Sequence, residues 1–452
     1  LAILIQRVTI MRRDIEKELI SWKSQKGRYP LIVRDARQVG KSYLVEVFGK
    51  THFQNNVVVN FEFQPQLKDC FQSFDPSEII NKLQLILGVQ IKEGSTLLFL
   101  DEIQECPQAI TSLRYFKEKM PKLAVIAAGS LLEFALRSPA FKMPVGRIHF
   151  LYLEPLSFSE YLDATGNQNL RQFLSEVKLT DSVDDIIHKK LLELLRIYLI
   201  VGGMPAALEE YLSSNDLMNC QRIQTALLQT YRSDFGKYAK ISQHKYLQKV
   251  FDTAPRMVGQ RIKYSNIDTD TRSRDLKNAL NLLALAGVVK PIYLTKASGL
   301  PLGAQIDEQK FKLNFLDVGL MQNSCGLQGR LSVEEDFMQI NAGAVAEQFV
   351  GQELAAYSDK HQQGSIYFWA REKKGSMAEV DYVINIGPNI LPVEVKSGKE
   401  GKLKSLRMFI DEKKSKLGIR FSRDKLSYYD KILSIPLYIV EQMPRLAGSL
   451  TC

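Results

Sequence analysis

Leu31-Ile-Val-Arg-Asp-Ala-Arg-Gln-Val-Gly-Lys-Ser42 decides the fold. Leu31, Ile32 and Val33 read as a buried strand, the next residues as a short loop, and Gly40-Lys41-Ser42 as the opening of a helix. Strand, loop and helix in this order make a phosphate-binding loop. Backbone N–H groups at the helix start point at phosphate, and the helix dipole favours its charge. In this reading Gly40, Lys41 and Ser42 bind the nucleotide. Lys41 reaches the β- and γ-phosphates, and Ser42 holds Mg2+.

The pattern G-x-x-x-x-G-K-[ST] places its first glycine at position 35, where this chain has Asp35. Glycine suits that place because it tolerates unusual backbone angles and close approach of phosphate. Asp35 brings a carboxylate towards an anion instead, and is expected to weaken nucleotide binding. Taken alone, the stretch also reads as a basic strand–turn–helix with a chance Gly-Lys-Ser. Thr96-Leu-Leu-Phe-Leu-Asp-Glu102 shifts the balance. It is a continuous apolar run, as in strands of parallel sheets buried on both faces, and it ends in two carboxylates. Ligands of such sheets sit at the carboxyl ends of the strands. Asp101 is therefore expected to coordinate Mg2+, and Glu102 to polarise the attacking water.

The 452 residues suffice for about three domains. With 45% apolar residues, sizeable cores are possible. No run has the length of a membrane span, and Leu1–Ile5 is too short for a secretory signal. Met11 is read as the natural start, with residues 1–10 upstream of it. The five scattered cysteines lack metal-ligand spacing and read as reduced thiols of a cytoplasmic protein. A net charge of +10 suits an acidic partner such as nucleic acid.

Strand and helix alternate from Arg12 to Leu153, which predicts a parallel α/β sheet. Ser130 follows the strand Leu123–Ala128, where it senses the γ-phosphate or orients water, or else caps a helix over Leu131–Leu136. Arg147 either touches phosphate, in cis or across subunits, or is a solvated surface residue. From Ser157 to Tyr246 the pattern is helical, interrupted by Gly202-Gly-Met-Pro-Ala-Ala-Leu208. This resembles the Gly-x-Pro motif of STAND-type ATPases, whose proline packs on adenine. It reads equally as a turn with Pro205 at the first helical position. Lys263–Tyr293 predicts helix, turn, helix and wing, a module that either binds DNA or serves as an ATPase lid or protein contact.

The last third carries a second set of carboxylates. Glu347 lies on a helix over Val345–Ala356, Asp381 on a strand over Glu379–Ile386, and Glu394 and Lys396 on a strand over Ile390–Ser397. Residues two apart on a strand face one side, so Glu394 and Lys396 point together and Asp381 on a paired strand joins them. Carboxylates with a lysine make a Mg2+ site for phosphodiester hydrolysis. Glu347, Asp381 and Glu394 hold the ion, while Lys396 stabilises charge developing at phosphorus. Lys396–Lys425 contains eleven basic and four acidic residues, most of the chain's excess charge, and is expected to attract a phosphate backbone.

With these motifs in view, the chain resembles the prokaryotic AAA-type P-loop ATPases that carry a C-terminal DUF4143 domain. The residues are Arg37-Gln-Val-Gly-Lys-Ser42, Leu100-Asp-Glu-Ile-Gln104, Ala128-Gly-Ser-Leu131, Pro155-Leu-Ser-Phe158, Gly202-Gly-Met-Pro205, Phe315-Leu-Asp-Val-Gly-Leu320, Glu379-Val-Asp381 and Val393-Glu-Val-Lys396. The resemblance implies an α/β protein. Its parts would be a P-loop parallel-sheet ATPase domain (11–155), a helical lid (156–245), a winged-helix segment (246–330) and a restriction-endonuclease-like domain (331–452). The expected function is slow Mg2+-dependent ATP hydrolysis coupled to a nuclease-like domain that engages nucleic acid, DNA in the first instance. The alternative is a nucleotide-dependent regulatory or DNA-binding switch without nuclease activity. ATP and Mg2+ are the expected cofactors. A protein partner or a second copy is compatible with both readings, and a membrane with neither.

Overall fold

The computed structural model describes residues 11–130, 146–238, 241–326, 342–362, 364–373, 376–396 and 403–451. The expected cap on Leu131–Leu136, the upstream residues 1–10, and Lys399 and Lys402 of the basic run lie outside them.

The first sheet has five strands in the order β2-β3-β4-β1-β5, all parallel. They are β1 Leu31–Arg34, β2 Asn55–Asn60, β3 Thr96–Asp101, β4 Ala124–Ala128 and β5 His149–Tyr152. β3 and β4 are buried along their whole length, as a central strand covered on both faces must be. Alternate residues of β1 enter two cores. Leu31 and Val33 pack on the side of α1 (Glu16–Ser24) and α2 (Lys41–His52). Ile32 packs with Ile79, Ile80 and Leu83 of α3 (Pro76–Leu87) and Ile110, Leu113 and Phe116 of α4 (Pro107–Lys119).

A helical segment follows: α5 Phe158–Ala164, α6 Gln168–Glu176, α7 Asp185–Val201, α8 Pro205–Ser214, α9 Leu217–Ser233 and α10 Ile241–Thr253. After a single helical turn at Tyr264–Ile267 comes α11, Ser273–Leu285. The core under β1 continues through Tyr198, Leu199 and Leu228 to Phe315, Phe349 and Tyr382, so the parallel sheet and the C-terminal half share one apolar interior.

The second sheet has eight strands in the order β12-β13-β11-β10-β9-β8-β6-β7. They are β6 Val289–Thr295, β7 Ile306–Phe315, β8 Tyr367–Lys373, β9 Ser376–Ile386, β10 Asn389–Val395, β11 Gly418–Ser422, β12 Ser427–Tyr429 and β13 Ile432–Pro436. The remaining helices are α12 Val318–Cys325, α13 Ala342–Ala356, α14 Lys404–Lys413 and α15 Met443–Thr451. Helix, turn, helix and hairpin stand where a winged helix was expected, but β6 and β7 are not a free wing. β6 also pairs in parallel with β8, Tyr293 opposite Tyr367, so the sheet runs across the expected boundary at 330/331. The physical reason is visible in β7. Phe311 to Phe315 are buried at every position, Lys312 and Asn314 included, which a solvated wing does not permit.

Candidate functional site

The loop between β1 and α2 is shaped by backbone angles that most residues avoid. Asp35, Gln38 and Gly40 have φ of 119°, 61° and 97°. Successive turns of opposite hand direct neighbouring N–H groups into a common concavity, which suits an anion. Lys41, 8% exposed, folds into this loop and donates to the carbonyls of Asp35 (3.0 Å) and Ala36 (2.5 Å). Burial lowers its pKa to about 8. Ser42 donates to Asp101 Oδ1 at 3.0 Å, and Asn60 Nδ2 to Asp101 Oδ2 at 3.0 Å. A hydroxyl and a carboxylate oxygen side by side are hard donors that fit Mg2+.

Glu102 has φ of 50°, uncommon for a non-glycine residue, and strain of this kind gathers at functional sites. Its Oε2 accepts from Gln104 Nε2 at 2.6 Å and Ser130 Oγ at 3.2 Å. Ser130 is thus bonded to Glu102, a partner that the sequence reading did not name. Arg147 is exposed and pairs with Glu118 of α4 at 3.3 Å.

Later segments close over the loop. Pro205, the first residue of α8, stands 3.4 Å from where a side chain on Gly40 would begin. Arg37 pairs with Asp234 at 2.6 Å, and the Tyr231 hydroxyl donates to the Arg37 carbonyl at 2.7 Å. Arg13 donates to the Val39 carbonyl at 3.0 Å and pairs with Glu160 at 3.1 Å. The Asp35 carboxylate accepts from its neighbour's amide, Ala36 N, at 2.8 Å, and lies against Gly287 before β6. Burial and nearby Glu154 raise its pKa, opposed by Lys290, which itself pairs with Glu154. The loop amide thus engages the carboxylate that the sequence sets against phosphate.

Behind Pro205, Asp317 is fully buried and accepts from Gly203 N at 2.6 Å, Leu320 N at 3.0 Å and Gln352 Nε2 at 3.4 Å. On α13, Gln348 bonds the Phe315 amide (2.7 Å) and Glu353 the Phe158 amide (3.0 Å). The same helix carries Glu347, so one rigid element joins this region to the C-terminal carboxylates.

Those carboxylates do gather. Val395 N donates to Asp381 Oδ2 at 2.8 Å, which sets β9 and β10 with Asp381 beside Glu394. Lys396 pairs with Glu394. Burial and Asp381 raise the Glu394 pKa to about 7, and burial raises that of Glu347 to about 8. Sequence reading missed Lys312 of β7, which stands among them. Its ammonium is 2.8 Å from Glu347, 2.6 Å from Glu379 and 3.4 Å from Asp381. Among the described residues, no group of three or more His, Cys, Asp or Glu is placed to hold a metal ion. The expected Mg2+ set of Glu347, Asp381 and Glu394 does not fit the ion as arranged, because the Lys312 ammonium already stands against Glu347 and Asp381. A lone lysine inside the apolar Phe311–Phe315 stretch was the available signal.

The basic run is also less free than its count implied. Arg407 pairs with Asp430, Lys413 with Glu412, Arg420 with Asp424, and Lys425 with Asp185. Asp185 and Asp430 lie outside the stretch in which the charges were counted.

Family models match three consecutive parts of the chain. Residues 27–162 match an AAA domain, 192–330 a domain of unknown function (DUF8612), and 342–439 a second one (DUF4143). Among solved structures, the Walker-type ATPase PABY2304 of Pyrococcus abyssi is 14% identical with a TM-score of 0.45, covering 70% of this chain and 96% of its own. The Aeropyrum pernix ORC1 protein in complex with DNA is 12% identical with a TM-score of 0.31, covering 73% and 96%. The Thermotoga maritima RuvB Holliday junction branch migration motor is 13% identical with a TM-score of 0.29, covering 61% and 87%. A comparison with curated proteins found no match. The loop, Asp101 and Glu102 lie in the segment matched by the AAA model. Pro205, Asp234 and Gly287 belong to the segment matched by DUF8612. Among the described residues, no helix is long and apolar enough to cross a membrane.

Proposed function

We propose that this chain is an ATP- and Mg2+-binding switch and a slow ATPase, whose nucleotide state is transmitted to its C-terminal half. The observation that carries it is the closure of one loop by three later segments. Asp35, Arg37 and Gly40 are each met by a different one, through Gly287, Asp234 and Pro205. A ligand shifts a conformational equilibrium only through differential contacts, and phosphate entering this loop must compete with or reorganise those contacts. Lys41 would turn from the Asp35 and Ala36 carbonyls to phosphate. Ser42 and Asp101 would hold Mg2+, and Glu102, fixed by Gln104 and Ser130, would orient water.

The test is calorimetric titration with Mg-ATP, followed by hydrogen exchange with and without nucleotide. Binding lost in Lys41→Ala, together with ATP-dependent protection at the amides of Gly203, Met204 and Gly287–Lys290, supports the reading. Protection confined to residues 35–42 would limit the chain to nucleotide binding without transmission.

A second reading, metal-dependent cleavage of nucleic acid at Asp381, Glu394 and Lys396 with Glu347, rests on Asp381 standing beside Glu394 on paired strands, and it requires a conformation in which Lys312 has left Glu347 and Asp381, because the cluster as arranged does not fit the ion. Incubation with DNA and RNA in Mg2+ or Mn2+, with and without ATP, tests it. Cleavage abolished by Asp381→Ala would establish it, and no cleavage in any condition would leave the C-terminal half as the receiver of the switch. Filter binding of the same nucleic acids tests the expected partner.

A further inference from the structure

Lys312 is the place in the fold where the C-terminal carboxylates and the expected metal disagree. Its side chain is 1% exposed and meets carboxylates from two elements, Glu347 of α13 and Glu379 and Asp381 of β9. An ammonium has three donors and no acceptor. Three carboxylates are thus the full complement it can satisfy. Charged groups this deep are kept only when paired, so neither side of the cluster is dispensable to the other.

Charge bookkeeping gives the same picture. Glu347, Glu379, Asp381 and Glu394 face Lys312, Arg261 and Lys396. Counted with all four carboxylates ionised, the set is one positive charge short, and after burial this crowding of negative charge is part of what raises the pKa values of Glu347 and Glu394. The shortfall has a visible location: Oε2 of Glu394 is buried, on a residue 6% exposed, and accepts no hydrogen bond among the described residues. Without the lysine the deficit would be two, the charge of one divalent ion. Hard cations of that charge take carboxylate oxygens at about 2.0–2.6 Å. They cannot share that space with an ammonium already 2.6–3.4 Å from the same oxygens.

We infer that Lys312 is the resident cation of this cluster, taking the position a divalent ion would need, so that the cluster is closed to divalent ions in this conformation. The inference is independent of the nucleotide reading. It makes Lys312 a positioning residue that sets Glu347, Glu379 and Asp381 around one point.

Mn2+ titration of the nucleotide-free full chain, followed by electron paramagnetic resonance, tests it in wild type, Asp381→Asn, Lys312→Met and Lys312→Met/Asp381→Asn. Any ion held by Ser42 and Asp101 is common to all four and cancels. Wild type and Asp381→Asn are expected to bind the same number of ions. Lys312→Met should bind one more, at least tenfold more tightly than any site shared by all four, and the double variant should lose it. Thermal unfolding gives a second readout: Mn2+ should raise the melting temperature of Lys312→Met and not that of the double variant. An extra ion in wild type that Asp381→Asn removes would overturn the inference. So would a folded Lys312→Met that gains no ion. If Lys312→Met does not fold, the comparison of wild type with Asp381→Asn still decides whether the cluster is closed.

Discussion

Replacing Asp317 by alanine should loosen the turn that carries Pro205, and the size of the effect follows from its bonds. The carboxylate is fully buried and accepts from the amides of Gly203 and Leu320, at 2.6 and 3.0 Å. A buried N–H left without an acceptor costs about 1–3 kcal/mol. Two of them give about 2–6 kcal/mol, and the loss of the cap on α12 is contained in the Leu320 share. Burial raises the Asp317 pKa, so removing its charge returns part of that cost and favours the lower half of the range. Asp317→Asn keeps one acceptor oxygen and should lose about half as much.

Native-state hydrogen exchange at Gly203 and Leu320 reads this directly, each tenfold rise in exchange corresponding to about 1.4 kcal/mol. A functional consequence follows from population. If the turn is docked one tenth of the time, the apparent ATP Kd rises about tenfold. Exchange at both amides within about threefold of wild type in Asp317→Ala would refute the reasoning, because water or another group would then be accepting those bonds.

Lys41 offers a pH test. Its ammonium is the phosphate-binding form and its pKa is lowered to about 8, so ATP affinity should fall above pH 8, by up to about tenfold per pH unit, and Lys41→Arg should abolish that slope. Glu102→Gln should bind ATP within about threefold of wild type and lose at least about a hundredfold in turnover, measured by phosphate release; unchanged turnover would remove Glu102 from the mechanism. Glu353 is buried with its pKa raised from 4.5 to about 8. A raised pKa means that its contribution is fully present below pH 4.5 and is lost as pH rises to 8. Glu353→Gln still accepts from Phe158 N, so it should flatten the fall in unfolding stability across that window, by up to about 1.4 kcal/mol per pH unit. Coincident slopes in denaturant titrations would show that Glu353 does not titrate there.

Local signals carried what the sequence revealed. The apolar triplet Leu31–Val33 before Gly-Lys-Ser, and the apolar run ending at Asp101, mark strand and site together because strand, loop and helix start are contiguous. Asn60 carries no such mark. It matters only because the register sets it opposite Asp101. Asp35 shows the limit in another way: residue type predicted repulsion of phosphate, whereas the fold supplies the Ala36 amide and the Gly287 turn from 250 residues away. Lys312 was legible only as an oddity, a charge in a stretch otherwise fit for a core. Its three partners lie between 35 and 69 positions downstream, and no local pattern reaches that far.

The shared second sheet has a consequence for anyone dividing this chain into pieces for expression. A fragment ending near residue 326 keeps β6 and β7 but lacks β8, so the edge of β6 at Tyr293 and Leu294 loses its partner and is free to pair with another molecule. The same cut separates Lys312 from Glu347, Glu379 and Asp381, all of which lie beyond it. The orphaned ammonium would then be drawn to water, pulling the buried half of β7 with it. Such a fragment should be recovered as aggregate, whereas the two halves co-expressed should complement each other and return to solution as one folded pair.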